Sequence, residues 1–331
     1  MTKTLIAGLG SIGRRHLRNL VALGETDIVL LRTHRATLPE EDLAGYPVET
    51  DLSQALKRHR PDAVIVANPT SLHLEVAIPA ARTGCAILLE KPISDSTKGL
   101  RRLQTAVEKS GSKVLVAFQF RFHPSLLGAR QLISGGAIGR IISAHVHFGE
   151  YLPAWHPWED YRKGYAARAD LGGGVVLTQC HSLDYLPWLV GRADAAWGLV
   201  GKLSDLEVDT DDTAEIGLRF AGGAIGSLHL DYNQQPPSHS FSVNGTGGSL
   251  KCDLADGTVN LYRAEQKAWE GYPLPAGWER NVMFMEEMEH FLAVARGEAQ
   301  PVCTLEDGIR VMQLIEAIKR SQHTGRLIVL Q

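Results

Sequence analysis

Short unbroken apolar runs, rather than alternating ones, mark the first third of the chain. Residues 4–8 (Thr-Leu-Ile-Ala-Gly) form one, and runs at 27–32, 62–67, 86–90 and 113–118 follow. Continuous runs of this length predict strands covered on both faces. Leu17, Leu20 and Val21 fall at helical spacing before Gly24, and 51–59, 72–83 and 96–110 also read as helices. Strands and helices in alternation predict an α/β, doubly wound parallel sheet. Beyond residue 123 the pattern changes. Segments 141–151, 213–220, 224–232 and 240–244 alternate in places, as half-buried strands do, with turns at Gly222-Gly223 and Gly247-Gly248. Helices at 281–296 and 305–321 and a strand at 326–330 close the chain.

At 331 residues the chain is too long for one ordinary domain and comfortable for two. Its net charge of −3 and lack of a dense basic run argue against nucleic acid or an anionic membrane as partner. No apolar stretch reaches membrane-spanning length, and the chain enters a strand within a few residues, so neither a spanning helix nor a signal peptide is expected. Cys85, Cys180, Cys252 and Cys303 are scattered, as reduced buried thiols in a cytoplasmic protein would be.

The candidate chemistry begins at Gly8-Leu9-Gly10-Ser11-Ile12-Gly13, between the first strand and its helix. There the first glycine makes the turn, the second admits a pyrophosphate, the third lets helix and strand close up, and the helix N-terminus faces the phosphate charge. The second strand runs into Arg32-Thr33-His34-Arg35 without an acid for the ribose hydroxyls. Arg32, Thr33 and Arg35 therefore suit a 2′-phosphate and predict NADP over NAD. Asn68-Pro69-Thr70 and His73 follow the third long run, where strand ends line a cofactor crevice; Thr70 reads equally well as a helix cap. Glu90-Lys91-Pro92 follows the next run and puts an ammonium at the strand end. His145 and His147 lie two apart on a predicted strand and face one way; with no further ligands identifiable, they read as structural and no metal is expected. Asp209 to Asp212 read as a solvated acidic turn.

Taken together, the glycine fingerprint, Asn68-Pro69-Thr70 with His73, Glu90-Lys91-Pro92, Gln119-Phe120-Arg121-Phe122-His123-Pro124, and Gly172-Gly173-Gly174 followed by His181 and Asp184 resemble the Gfo/Idh/MocA oxidoreductase family. The resemblance implies a Rossmann domain over 1–122 and an α/β domain over 123–331 with a large, mostly antiparallel open sheet. A broad face of that sheet left uncovered would be an apolar patch, implying a homodimer or homotetramer. It also implies a dehydrogenase or reductase acting on a sugar-type small molecule. Lys91 would polarise the substrate oxygen, and His181 would serve as the base on a helix starting after Gly174 that also carries Thr178 and Asp184. Glu90 and Gln119 would join the cofactor site. Where many relatives carry an Asp a turn before the His, this chain has Leu177 or Thr178, so Lys91 and His181 would carry the acid–base chemistry. Arg121, Trp155, Trp158, Tyr161, Arg162, Tyr165, Arg168 and Thr178 would meet the substrate, the aromatics covering a sugar face and Arg162 and Arg168 reading an anionic group. The alternatives are an NAD-dependent glycosidase on the same fold and a catalytically silent dinucleotide-binding protein.

Overall fold

In the computed structural model, which describes residues 1–32 and 43–330, the chain divides into two compact units. The first holds Met1–Gln119 with Arg280–Ile309, and the second holds Phe120–Glu279 with the chain from Arg310 onward. The first unit opens with β1 (Thr4–Ala7), α1 (Ser11–Ala22), β2 (Ile28–Leu31), β3 (Val48–Glu49), α2 (Leu52–His59) and β4 (Ala63–Val66). It continues with α3 (His73–Arg82), β5 (Ala86–Glu90), α4 (Leu100–Ser110) and β6 (Val114–Ala117). All six strands are parallel in the order β3-β2-β1-β4-β5-β6. The order reverses between β1 and β4, which opens a crevice at the carboxyl ends of the strands. The predicted apolar runs account for five of these strands. Leu5, Ile6, Val64, Ile65, Val66, Ile87, Leu88 and Leu89 have no exposed surface, and burial of each such side chain contributes about 1.5–3 kcal/mol. β3 is two residues long and left no hydrophobic signature.

In the second unit come α5 (Pro124–Ser134), β7 (Ile141–Gly149), α6 (Val175–Thr178), α7 (His181–Val190), β8 (Ala193–Gly201) and β9 (Thr213–Phe220). Next are β10 (Ile225–Asp231), β11 (Ser238–Gly245), β12 (Gly248–Asp253), β13 (Val259–Arg263) and β14 (Ala268–Tyr272). α8 (Asn281–Ala295), α9 (Leu305–Thr324) and β15 (Ile328–Val329) complete the chain. Nine strands form one sheet in the order β14-β13-β12-β11-β7-β10-β9-β8-β15, antiparallel except for the β7–β10 pair. β8 escaped the sequence reading because Ala-Asp-Ala-Ala at its start lacks β-branched residues.

One face of this sheet is core, built from Ala144, Val146, Phe148, Ile216, Leu218, Leu228, Leu230, Phe241 and Val243. The alternate positions are not the expected apolar patch. They carry Ser143, His145 and His147 on β7, Glu215 on β9, Ser227 and His229 on β10, and Ser240 and Ser242 on β11, with exposed Leu199 and Ile225 among them.

α8 follows the second domain in sequence but packs in the first unit, against α1, β5 and β6. Its Met283, Phe284, Met288 and Phe291 are buried. Arg15 lies over the Phe284 ring at 4.4 Å, and the Asn281 amide donates to Asn19 at 3.2 Å. Among these apolar residues sits Glu287, only 1% exposed, with Oε1 lacking a hydrogen-bond partner among the described residues. Burial, aided by the nearby charge of Glu90, pushes its pKa well above the usual carboxyl value. The folded chain therefore keeps a proton that the unfolded chain releases, and stability falls as pH rises above the ordinary carboxyl range. Glu287→Gln, which cannot ionise, is expected to remove that loss. In urea titrations its stability relative to wild type should rise as the pH climbs above the ordinary carboxyl range; a constant difference would contradict the assignment.

Candidate active site

The glycine turn after β1 has the shape a dinucleotide requires. Gly8 has φ +94°, and a Cβ there would lie 2.4 Å from the Asn68 backbone nitrogen; one on Gly13 would lie 2.0 Å from the Gly8 carbonyl oxygen. These two glycines let the turn, β4 and α1 meet. Gly10, the N-cap of α1, differs: a Cβ there would meet nothing within 4 Å. Its missing side chain leaves open space in front of a helix end with no acid in its first turn, which Ser11 and Ile12 begin. The Asn68 side-chain oxygen is buried without a hydrogen-bond partner among the described residues. An open cradle beside an unsatisfied amide fits a nucleotide with its phosphates on the helix N-terminus.

At the ends of β4 and β5, His73 is a structural clamp. Its Nδ1 lies 2.9 Å from the Pro92 carbonyl oxygen and its Nε2 2.9 Å from that of Asn68. Burial lowers its pKa against the opposing pull of Glu90 and the two carbonyls. Thr70 is buried in the short 3-10 turn after Pro69. Glu90, read from sequence as a cofactor ligand, points elsewhere: one carboxylate oxygen is 2.7 Å from His16 Nε2, and the other accepts the Lys91 N–H at 3.2 Å. Burial opposes the charge on Glu90, but the hydrogen bond and charge of His16, with Lys91 and His73 nearby, hold its pKa below the usual value. Sequence reasoning missed His16, whose place on the inner side of α1 became visible only with the fold. Gln119 and Arg32 are buried, and the Arg32 N–H donates to the Glu49 carbonyl at 2.9 Å. Thr33 and Arg35 lie outside the described residues.

In the second unit, the single helix expected after Gly174 is two. α6 ends at Thr178, Gln179 and Cys180 interrupt it, and His181 begins α7. Close backbone packing precedes the break. A Cβ on Gly173 would lie 2.4 Å from the Tyr165 carbonyl oxygen, and one on Gly174 2.5 Å from the Asp211 carboxylate. Asp211 accepts the Val176 N–H at 3.0 Å, while buried Asp212 accepts from Leu203 and Ser204. The acidic loop is thus internal scaffolding rather than a solvated turn. The Thr178 hydroxyl donates to the Gly174 carbonyl at 2.9 Å and bonds the buried Tyr232 hydroxyl, which gives it a structural task in place of the expected substrate contact.

His181 is buried against the Phe120 ring, 4.9 Å between centroids and nearly perpendicular. His239 and Tyr185 flank the same phenyl ring, and the Tyr185 hydroxyl lies 3.1 Å from His239 Nε2. Arg121 is not presented to a ligand as expected. Its guanidinium grips Asp184 with two hydrogen bonds, 2.7 and 3.0 Å, both side chains buried. Breaking such a buried pair typically costs about 3–5 kcal/mol.

The aromatic segment divides. Trp155 packs edge-on against Tyr232 at 5.5 Å, and its indole N–H is buried with no partner among the described residues. Trp158 is 69% exposed. The Tyr161 hydroxyl accepts the Glu207 N–H at 3.1 Å, and Tyr165 begins a 3-10 turn. Arg162 is engaged by Asp160 and Glu207, and Arg168 by Asp170, so the anion-reading role predicted for them meets carboxylates already in place. All four cysteines are buried, and none forms a disulfide among the described residues.

Two substitutions separate the turn's structural glycine from its binding glycine. Gly8→Ala should cost roughly 1–3 kcal/mol in chemical unfolding, because the added methyl meets backbone at a positive φ. Gly10→Ala should cost less than about 1 kcal/mol while weakening dinucleotide binding at least tenfold by fluorescence titration. Equal stability losses would contradict the distinction.

Comparisons with known proteins agree with this architecture. Residues 2–118 match the description "Oxidoreductase family, NAD-binding Rossmann fold", and residues 130–330 match "Oxidoreductase family, C-terminal alpha/beta domain". The chain is 28% identical to 1,5-anhydro-D-fructose reductase of Ensifer adhaerens, over 80% of this chain and 78% of that protein. It is 30% identical to levoglucosan dehydrogenase of Pseudarthrobacter phenanthrenivorans, over 78% and 77%. Among solved structures, a levoglucosan dehydrogenase in complex with NADH superposes with a TM-score of 0.87 at 22% identity, over 99% of this chain and 98% of that one. With both halves matched in order, the chain belongs to the Gfo/Idh/MocA family of NAD-binding oxidoreductases.

Proposed function

We propose that the chain is a dehydrogenase or reductase that moves a hydride between a nicotinamide cofactor and a secondary alcohol or ketone of a sugar or sugar derivative. Lys91 and His181 handle the hydroxyl proton. The observation that carries this reading is the place of Lys91. It is the first residue beyond β5 in the nucleotide-binding sheet, with its N–H on Glu90 and Glu90 anchored by His16. Bound nicotinamide supplies the hydride acceptor or donor. Lys91 donates a hydrogen bond to the substrate oxygen and stabilises negative charge as it gathers there. His181 takes the proton in oxidation and returns it in reduction. Leu177 or Thr178 stands where many relatives have an acid; neither carries a carboxyl group, which leaves the proton to these two residues.

The substrate reading shifts towards uncharged groups. Arg162 and Arg168 are paired with carboxylates, whereas the buried Trp155 N–H suits a sugar hydroxyl as acceptor. The names of the two relatives, a reductase of 1,5-anhydro-D-fructose and a dehydrogenase of levoglucosan, favour this reading over the glycosidase and silent alternatives. For the cofactor we propose a preference for NADP, because residues 28–32 offer no acid to the ribose.

Lys91→Ala is expected to lower kcat on a sugar panel by about 10²–10⁴-fold while dinucleotide affinity stays within about tenfold. Near-normal turnover would remove Lys91 from the mechanism. Arg32→Asp is expected to move the kcat/KM ratio towards NAD; an unchanged ratio would assign the ribose to another group.

A further inference from the structure

On the open face of the second unit's sheet, three strands place a row of ligating side chains in register. Glu215 of β9 pairs with His229 of β10, and His229 pairs with His147 of β7. Asp231 follows His229 by two residues and so points to the same side of the strand. We propose that His147, His229 and Asp231 form a site for a divalent transition-metal ion, with Zn²⁺ the best-suited probe. One ligating atom from each of the three residues lies within 4.8 Å of the others.

Four features make the arrangement more than a chance grouping. Asp231 is buried and already oriented, since one of its oxygens accepts the Asn233 and Gln234 N–H groups at 2.6 Å each, which leaves the other for His229. Gly149 stands opposite Asp231 in the ladder, and a Cβ there would lie 2.3 Å from that second oxygen. Glu215 lies 2.6 Å from His229 Nδ1, the carboxylate–histidine arrangement that turns Nε2 towards a metal. The Gln234 side-chain oxygen, 3.3 Å from His147 Nε2, supplies a fourth, neutral ligand. Two imidazoles with oxygen donors suit zinc and its neighbours rather than calcium or magnesium.

The cluster is held together by contacts of its own. His229 Nε2 lies 2.9 Å from Asp231, and the two imidazoles stack 4.7 Å apart at 11°. Coordination at about 2.0–2.2 Å would replace the His229–Asp231 hydrogen bond and rotate the His147 ring out of the stack. The backbone of β10 would not need to move.

The test is calorimetric titration of the chelator-treated full chain with zinc chloride, paired with thermal melting. One Zn²⁺ per chain and a raised melting temperature are expected. His147→Ala, His229→Ala and Asp231→Asn should each weaken binding at least tenfold, compared on protein that still melts cooperatively in chelator. His145→Ala should bind as wild type does, because that ring faces Ser227. No saturable zinc binding, or binding that survives all three substitutions or falls equally with His145→Ala, would overturn the site.

Discussion

The first unit depends on one buried carboxylate. Glu90 is held at one oxygen by His16 from α1 and at the other by the N–H of Lys91. A carboxylate with this little exposure is sustained only by such partners. The pair fixes the end of β5 relative to the helix whose N-terminus faces the open cradle at Gly10. The residue proposed for catalysis and the glycine turn proposed for the phosphates therefore share one rigid frame. His73 adds a second tie, its ring standing 2.9 Å from the Pro92 and Asn68 carbonyl oxygens in the loops that follow β5 and β4. Glu287 from α8 is buried in the same unit, its pKa pushed well above the usual carboxyl value by burial and by the charge of Glu90.

The second unit achieves the same rigidity by different means. The segment before His181 is built from close approaches that only glycine permits, capped by Asp211 and braced by the bond between Thr178 and Tyr232. The buried Arg121–Asp184 pair ties the turn that opens the unit to the first part of α7. Pairs of this kind add little net stability over an apolar contact, but leaving one partner alone is costly. They specify where a helix begins. For the base proposed at the first residue of α7, that start is the property that matters.

How much of this was legible in the sequence follows from which interactions are local. The parallel sheet was legible because strands buried on both faces must be continuously apolar, and the glycine turn because its steric demands fall on neighbouring residues. Lys91 and His181 stood out through their setting in a family pattern. The long-range contacts were hidden. His16 looked like any helix residue, Arg121 like a ligand-binding cation, and α8 like part of the second domain, until folding placed Glu90, Asp184 and α1 beside them. The break between α6 and α7 was also missed, since side-chain periodicity passes through it. His229 and Asp231 lie more than eighty residues beyond His147, so only strand register could bring them to it.

The proposed reaction is direct hydride exchange between a carbinol carbon of a sugar and the nicotinamide. Its most direct measurement is isotopic: incubate the enzyme with oxidised cofactor and a sugar substrate deuterated at ring carbons, then locate the label by NMR. Direct transfer puts deuterium stoichiometrically on one face of the nicotinamide C4 position and leaves a ketone on the sugar. Sugar consumption with no label retained on the cofactor would contradict it.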